Sequence, residues 1–417
     1  MLRYDYIIIG GGIAGTTAAE IIRKIDSNAR IAILEEEKHV LYSRVFLPKY
    51  CRNEITREKV MLRSLGDYEK ERLDLYTYEK AESIDFVKRE IKALSGNIFS
   101  YGKLLIASGG SVRASDFEKE FADKIFRLQT LEDAERIRDL VLRNKVKKVL
   151  IVGGGFIALE FAGIFLKFEI ETSLVIKSKY FWEDYISEAG GADIAEIFRK
   201  KHIEYFTDDE IFKIERAEEG GIVVVTRNRK RIHADRVALA IGISRNIELG
   251  RGVLDIGDGI KVDENLKVKT LLGMEEAGMG VYAAGDVIEY FDEFSGKERI
   301  IGNWNHSFLT GHIAGTNMAQ GSMKFRSVAS YSIKSLDQVF TFLGDTDKKW
   351  ADETVVRRLP LENKYTELFI KNGKLIGAIL INTFQQKPLL TKWIEEGKDL
   401  TQIRSALADP NSNLEIL

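Results

Sequence analysis

The sequence predicts an α/β chain built on two βαβ units, followed by a C-terminal α+β domain. Three observations predict it. An apolar strand, a glycine cluster and a helix open the chain, and the same design returns 143 residues later. Past about Phe325 the glycine-rich pattern gives way to alternating strands.

The first unit reads in order. DYIII at 5–9 is an apolar strand, glycines follow, TTAAEIIRK continues as a helix, and RIAIL at 30–34 is the second strand. The second unit runs through VLIV at 149–152, another glycine cluster, a helix to about Phe168, and ETSLVI at 171–176. RNRK at 227–230 joins two β-like runs and reads as a hairpin turn. In the C-terminal part, Asn372-Gly373 sits between apolar runs and signals a second hairpin.

Composition narrows the function. Lys+Arg 62 against Asp+Glu 64 leaves a charge of −2, so no net basic field exists to hold nucleic acid or an anionic membrane. Cys51 is the only cysteine. One thiol excludes an internal disulfide, a dithiol motif, a cysteine-ligated Fe–S cluster and a Cys-rich zinc site, and no metal centre is expected. The apolar stretch at 149–166 contains Glu160 and four glycines, so it reads as a buried strand and helix rather than a membrane span. The opening residues offer no targeting signal, and a cytoplasmic protein is the expectation.

The glycine clusters have a chemistry. GGGIAG at 10–15 sets Gly10, Gly12 and Gly15 in GxGxxG spacing, with Ile13 and Ala14 opening the helix. That spacing allows a tight strand-to-helix turn, a close approach of backbone to a pyrophosphate, and close helix–strand packing. Glu35 ends the second strand twenty residues after Gly15, where a carboxylate accepts from ribose hydroxyls. GGGFIA at 153–158 is the GxGxxA variant, with Gly153, Gly155, Phe156, Ile157 and Ala158. At its ribose position stands Lys177, followed by Lys179, and a cation there suits a 2′-phosphate. The fold class is therefore α/β, with two Rossmann-like dinucleotide-binding domains plus a C-terminal α+β domain.

Two dinucleotide sites in one chain imply one nucleotide kept and one exchanged. On these residues the sequence resembles the FAD-dependent pyridine nucleotide-disulphide oxidoreductases. YGKLLIASGG at 101–110, with Ala107 and with Ser108 in place of a threonine, is similar to that family's first "ATG" segment. ADRVALAIGISRN at 234–246, with Gly242, is similar to the second. VYAAGD at 281–286 resembles the family's flavin motif, and the resemblance makes Gly285 and Asp286 flavin contacts, Asp286 on the ribityl chain. FRLQTLEDA at 126–134 resembles the entry to the nicotinamide domain, with Arg127 on the flavin side. NWNHSFLTGHIAGTNMAQG at 303–321 resembles the helix running toward the flavin ring, with Trp304 beside it. Ala81 is a further flavin-side position, and His306 reads as a surface or capping residue. The resemblance assigns 1–118 and 243–325 to an FAD-binding domain, 119–242 to an NAD(P)-binding domain, and 326–417 to the interface domain.

LYSRVFLPKYCRNEI at 41–55 separates the subgroups. The redox cysteine of single-cysteine members would fall on Val45, and Cys51 lies six residues beyond it. The segment instead resembles the non-disulfide subgroup of rubredoxin, ferredoxin and nitrite reductase-type flavoproteins, with Arg44 and Lys49 as its basic residues. The resemblance implies an enzyme in which NAD(P)H delivers hydride to flavin N5 and FAD passes electrons to a small redox protein or a small-molecule acceptor. An oxidase reducing O2 and an FAD-bound signalling or assembly protein are the alternatives, and a homodimer stays open. Lys49 and Glu160 are expected to form an ion pair beside the flavin and to act in the chemistry, because a lone charge in an apolar helix needs a partner.

Overall fold

Four consecutive apolar residues suit a strand only where both of its faces are covered. Leu2–Ile9 meets that condition, with Ile7 and Ile8 at 0% exposure. Each such isoleucine contributes about 1.5–3 kcal/mol through burial. The computed structural model describes residues 1–218 and 220–416. It divides into two units.

The first unit comprises Met1–Val45, Arg57–Ser111 and Ile243–Ser327. Its seven-stranded sheet runs Leu73–Tyr76, Ile31–Leu34, Leu2–Ile9, Ile98–Ile106, Glu90–Ala93, Ala81–Asp85, with Val281–Ala283 also paired to Ile98–Ile106. The strands around Leu2–Ile9 are parallel, in the register Ile7 to Ala32 and Ile7 to Leu104. The Ile13–Ile25 helix crosses from the first strand to the second, as the sequence predicts. It packs against the Trp304–Ala319 helix through small residues, among them Ala14, Ala18, Gly311 and Gly315.

The second unit comprises Phe46–Thr56, Val112–Gly242 and Val328–Leu417. It repeats the parallel design in a five-stranded sheet ordered Glu204–Phe206, Glu171–Val175, Lys148–Val152, Arg236–Leu239, Ile125–Phe126. The Phe156–Lys167 helix follows Lys148–Val152 just as the first helix follows the first strand. RNRK forms the hairpin between Ile222–Thr226 and Arg231–Ala234. Asn372 and Gly373 both take positive φ, 49° and 71°, in the tight turn joining Lys364–Lys371 to Lys374–Ile381. Those two strands belong to a five-stranded antiparallel sheet that fills most of the C-terminal segment. Among the described residues no helix is long and apolar enough to cross a membrane.

Candidate functional site

The two glycine loops are geometric duplicates. Gly10 has φ +102° and Gly153 φ +109°, conformations that side chains resist. A Cβ on Gly10 would lie 2.3 Å from the Ala107 carbonyl oxygen, and one on Gly153 would lie 2.2 Å from that of Ala240. The Gly10 N–H donates to Leu34 O at 2.8 Å and the Gly153 N–H to Val175 O at 3.0 Å. Each loop then delivers a helix N-terminus, at Gly12 and at Gly155, that no side chain caps.

Three other helices are capped by side chains, while those opened at Ser187 and Gln386 are not. The side chains of Ser64, Thr130 and Asn303 each accept a first-turn N–H. Leaving the two glycine-loop helices open, with no acid in either first turn, keeps their N–H groups available to an anion. A Cβ placed on Gly12 would meet nothing within 4 Å, so the cradle has room.

In the first unit two carboxylates are held in place. Glu35 Oε2 accepts from the Gly11 N–H at 2.5 Å and Oε1 from the Glu37 N–H at 2.7 Å. Burial pushes its carboxyl up, and the two N–H donors oppose that. Glu37 in turn accepts from Arg44 at 2.6 Å and from the Tyr42 hydroxyl at 2.7 Å. Asp286 Oδ1 accepts from the Ser307 hydroxyl at 2.6 Å, while Arg245 Nε donates to the Asp286 carbonyl at 3.0 Å. Burial raises the Asp286 carboxyl, opposed by Ser307, Arg245 and Arg44. Gly285 backs onto Ala14, where an added Cβ would lie 3.1 Å from the Ala14 Cβ.

The remaining first-unit positions are ordered around these. Ser108 and Asn246 exchange hydrogen bonds of 2.8 Å, tying the two "ATG"-like segments together, and the Ala107 N–H donates to Ile9 O at 2.8 Å. Trp304 is half-buried in the first turn of its helix, and Ala81 opens its strand in a buried position. His306 is not a surface residue: it is 4% exposed and stacked on Tyr290 at 5.3 Å. Its Nε2 meets no hydrogen-bond partner among the described residues, and burial lowers its pKa to about 3, so the ring stays neutral. The open cradle, the fixed acid at the second strand end and the Asp286 carboxylate together fit FAD.

In the second unit three of the expected site residues have partners that the sequence does not reveal. Lys177 does not stand alone at the ribose position: its ammonium pairs with Glu210, whose carboxylate also pairs with Arg227. A carboxylate is therefore present there, delivered by the turn before Ile211–Arg216 rather than by the strand end. Arg127 is held by Glu118 and lines a cavity of about 260 Å³ with Glu118, Asp133 and Arg136. Glu160 pairs with Arg52, not with Lys49. Arg52 Nη1 lies 3.2 Å from Glu160 Oε2, whereas the exposed Lys49 places its ammonium 5.6 Å from the Phe46 ring centroid. The other loop residues keep their places. Gly242 accepts from the Arg113 N–H at 3.0 Å, Ile157 is exposed, and Phe156 packs among Trp182, Tyr331 and Phe342 with centroids 4.6–5.1 Å away.

Cys51 is 0% exposed, and its thiol faces the Ala134 carbonyl at 3.6 Å. Burial pushes its pKa up to about 12, which keeps it a thiol rather than a nucleophilic thiolate. Cys51→Ser is expected to keep both flavin reduction and acceptor turnover, measured anaerobically. Loss of turnover with intact flavin reduction would give the thiol a redox role.

Sequence reasoning missed Ser307, Arg245, Glu37 and Tyr42 in the first unit, and Arg52 and Glu210 in the second. Ser307 alone had a usable signal, three residues after Trp304 and so one helical turn along.

Residues 4–311 match the pyridine nucleotide-disulphide oxidoreductase family, and 336–398 match the rubredoxin NAD+ reductase C-terminal domain. The ferredoxin–NAD(+) reductase component of the anthranilate 1,2-dioxygenase system of Burkholderia cepacia is 24% identical over 380 residues, 90% of each chain. The NADH-rubredoxin oxidoreductase of Clostridium acetobutylicum is 26% identical over 402 residues, 96% of each chain. Among solved structures, the reductase fold of a covalent putidaredoxin reductase–putidaredoxin complex superposes with a TM-score of 0.85 at 19% identity. That match covers 98% of this chain and 99% of the other.

Proposed function

This chain belongs to the pyridine nucleotide-disulphide oxidoreductase family, and from that premise we propose that it is an FAD-dependent NAD(P)H oxidoreductase passing electrons to a small redox protein of the ferredoxin or rubredoxin type. The duplicated, uncapped glycine turn is the observation that carries this reading, because it provides two dinucleotide cradles in one chain. When bound, FAD takes hydride from reduced nicotinamide and releases the electrons to the acceptor.

The protein's part is to bind and orient. Gly10 makes the turn, and Gly12, Ile13, Ala14 and Gly15 present backbone N–H groups to the flavin pyrophosphate. Glu35 accepts from ribose hydroxyls and Asp286 from the ribityl chain, with Arg44, Ala81, Ala107, Arg127, Gly285 and Trp304 as further flavin contacts. Gly153, Gly155, Phe156, Ile157, Ala158, Lys177 and Gly242 hold the exchangeable nucleotide, and Glu160 meets its reactive end. In this reading 1–118 with 243–325 bind FAD, 119–242 bind NAD(P), and 326–417 form the interface domain.

The similarity to ferredoxin and rubredoxin reductases supports the acceptor class. A dithiol route is excluded by the single cysteine. A cytoplasmic location is part of the reading.

Stopped-flow reduction by NADH and NADPH under argon, followed by an acceptor panel, tests it. Fast flavin reduction and turnover with ferredoxin or rubredoxin is the expected result. Turnover only in air would make the protein an oxidase, and sluggish reduction with every donor would make it an FAD-bound binding protein.

The nucleotide choice rests on Lys177, Arg227 and Glu210. Glu210 holds both cations, and their charges lower its own pKa. Glu210→Gln is expected to raise kcat/KM for NADPH severalfold relative to NADH, because two cations are released toward a 2′-phosphate. Lys177→Glu should move the ratio the other way. A strong NADH preference unchanged in Lys177→Glu would remove Lys177 from the site.

A further inference from the structure

Glu160 sits in the second turn of the helix that Gly155 opens, with its side chain 13% exposed. A carboxylate so placed needs a fixed cation. Five charged or titratable groups face it: Arg52 and Glu54, Lys49, the buried Cys51 thiol, and the Tyr331 hydroxyl from the Ser330–Ser335 strand. Burial raises the Glu160 carboxyl, Arg52 is the largest opposing influence, and Lys49 the smallest.

Arg52 is itself immobilised. Its side chain is 12% exposed, Nε reaches Glu54 Oε1 at 2.8 Å, and Nη2 reaches Glu54 Oε2 at 3.4 Å. The fork toward Glu54 leaves Nη1 for Glu160, a geometry that a planar guanidinium provides and an ammonium cannot. Space is set aside for it as well. Gly163, one turn beyond Glu160, would bring an added Cβ to 3.6 Å from Arg52 Nη1 and 2.8 Å from Ser335 Oγ. The Ser335 hydroxyl donates to Leu159 O at 2.6 Å, fixing the strand along the same helix.

We infer that Arg52 is the positioning residue for Glu160: braced by Glu54, it keeps the Glu160 carboxylate ionised and aimed at the nicotinamide end of the second cradle. The inference rests on the proposed reading of Glu160 as a nicotinamide contact. Arg52 does not touch the nucleotide. It acts by setting the charge and direction of a group that accepts a hydrogen bond from the carboxamide N–H2.

The test uses the holoenzyme and two readouts, the pH dependence of anaerobic flavin reduction by NADH and infrared difference spectra of the carboxyl band on pH titration. Loss of the band in Glu160→Gln assigns it. Arg52→Met is expected to move both the rate profile and the infrared titration at least one pH unit alkaline, so that reduction lost on the acid side is recovered at higher pH. Arg52→Gln, which keeps a hydrogen-bond donor without the charge, should shift both in the same direction by less. It also provides a second route should Arg52→Met fail to fold. Arg52→Lys should restore only part of the profile.

Wild-type profiles in both Arg52→Met and Arg52→Gln, with Glu160→Gln impaired, would overturn the inference and leave Glu160 in its role. A profile that moves with Lys49→Met but not with Arg52→Met would also overturn it. Wild-type reduction in Glu160→Gln would instead sink the reading of Glu160 itself.

Discussion

Gly311→Leu should strip the flavin from the protein and lower its melting temperature by several degrees. A Cβ on Gly311 would lie 2.3 Å from the Ala14 carbonyl oxygen and 2.7 Å from its Cα. Both neighbours are helix backbone, so relief requires the helices to part. Overpacking of this kind costs about 1–3 kcal/mol for small additions and more for large ones. The damage reaches the site at both ends. Ala14 lies in the first turn over the phosphate cradle, and Ser307, one turn before Gly311, holds Asp286.

Gly311→Ala is the graded version. In an open position alanine would stabilise the helix by about 1 kcal/mol, so a loss of stability is itself the sign of the close crossing. Scanning calorimetry and flavin content per chain read the result. Wild-type values for both variants would mean the helices do not approach this closely.

Asp286→Ala should leave the fold intact and weaken flavin binding. Hydrogen bonds to a charged group contribute about 1.5–3 kcal/mol, which converts to roughly 10- to 150-fold in affinity. Gel-filtered protein should contain markedly less flavin, and titration of re-added FAD should give the fold-change. The alanine removes a partner from Ser307 without adding bulk, so melting of the flavin-free form should change little. Full retention of flavin would take Asp286 out of the ribityl role and would weaken the reading of the whole VYAAGD segment.

Much of the fold and of both cradles is legible in the sequence. Glycine turns announce themselves because only glycine can place Gly10 against the Ala107 carbonyl, and the duplicate at Gly153 obeys the same steric rule. The parallel strands follow from unbroken apolar runs, and the Asn372-Gly373 hairpin from two residues that tolerate positive φ. Pairings set by tertiary packing are not legible. Lys49 and Arg52 stand three residues apart, the first inside a short helix and the second at its C-terminal cap. Which of them reaches Glu160 depends on how the buried Tyr50 and Cys51 seat that helix.

Glu210 is hidden for a related reason. It reaches Lys177 from thirty-three residues downstream, across a strand order that the linear spacing does not reveal. His306 shows the limit of a polar label, because neutral imidazole can be buried as an aromatic ring.

The first unit is assembled from three stretches, the last beginning at Ile243. On a ribosome the first strand and helix emerge early, yet the helix that covers them, and Asp286 with it, are made only after Val112–Gly242. At about 5–20 residues per second, the 131 residues of Val112–Gly242 take roughly 7–26 s to synthesise. For that interval Ala14 and Ala18 have no Trp304–Ala319 helix to pack on, and a nascent chain stopped at Gly242 lacks Asp286. Completion of the first cradle therefore waits until the strand and glycine turn of the second have already been made.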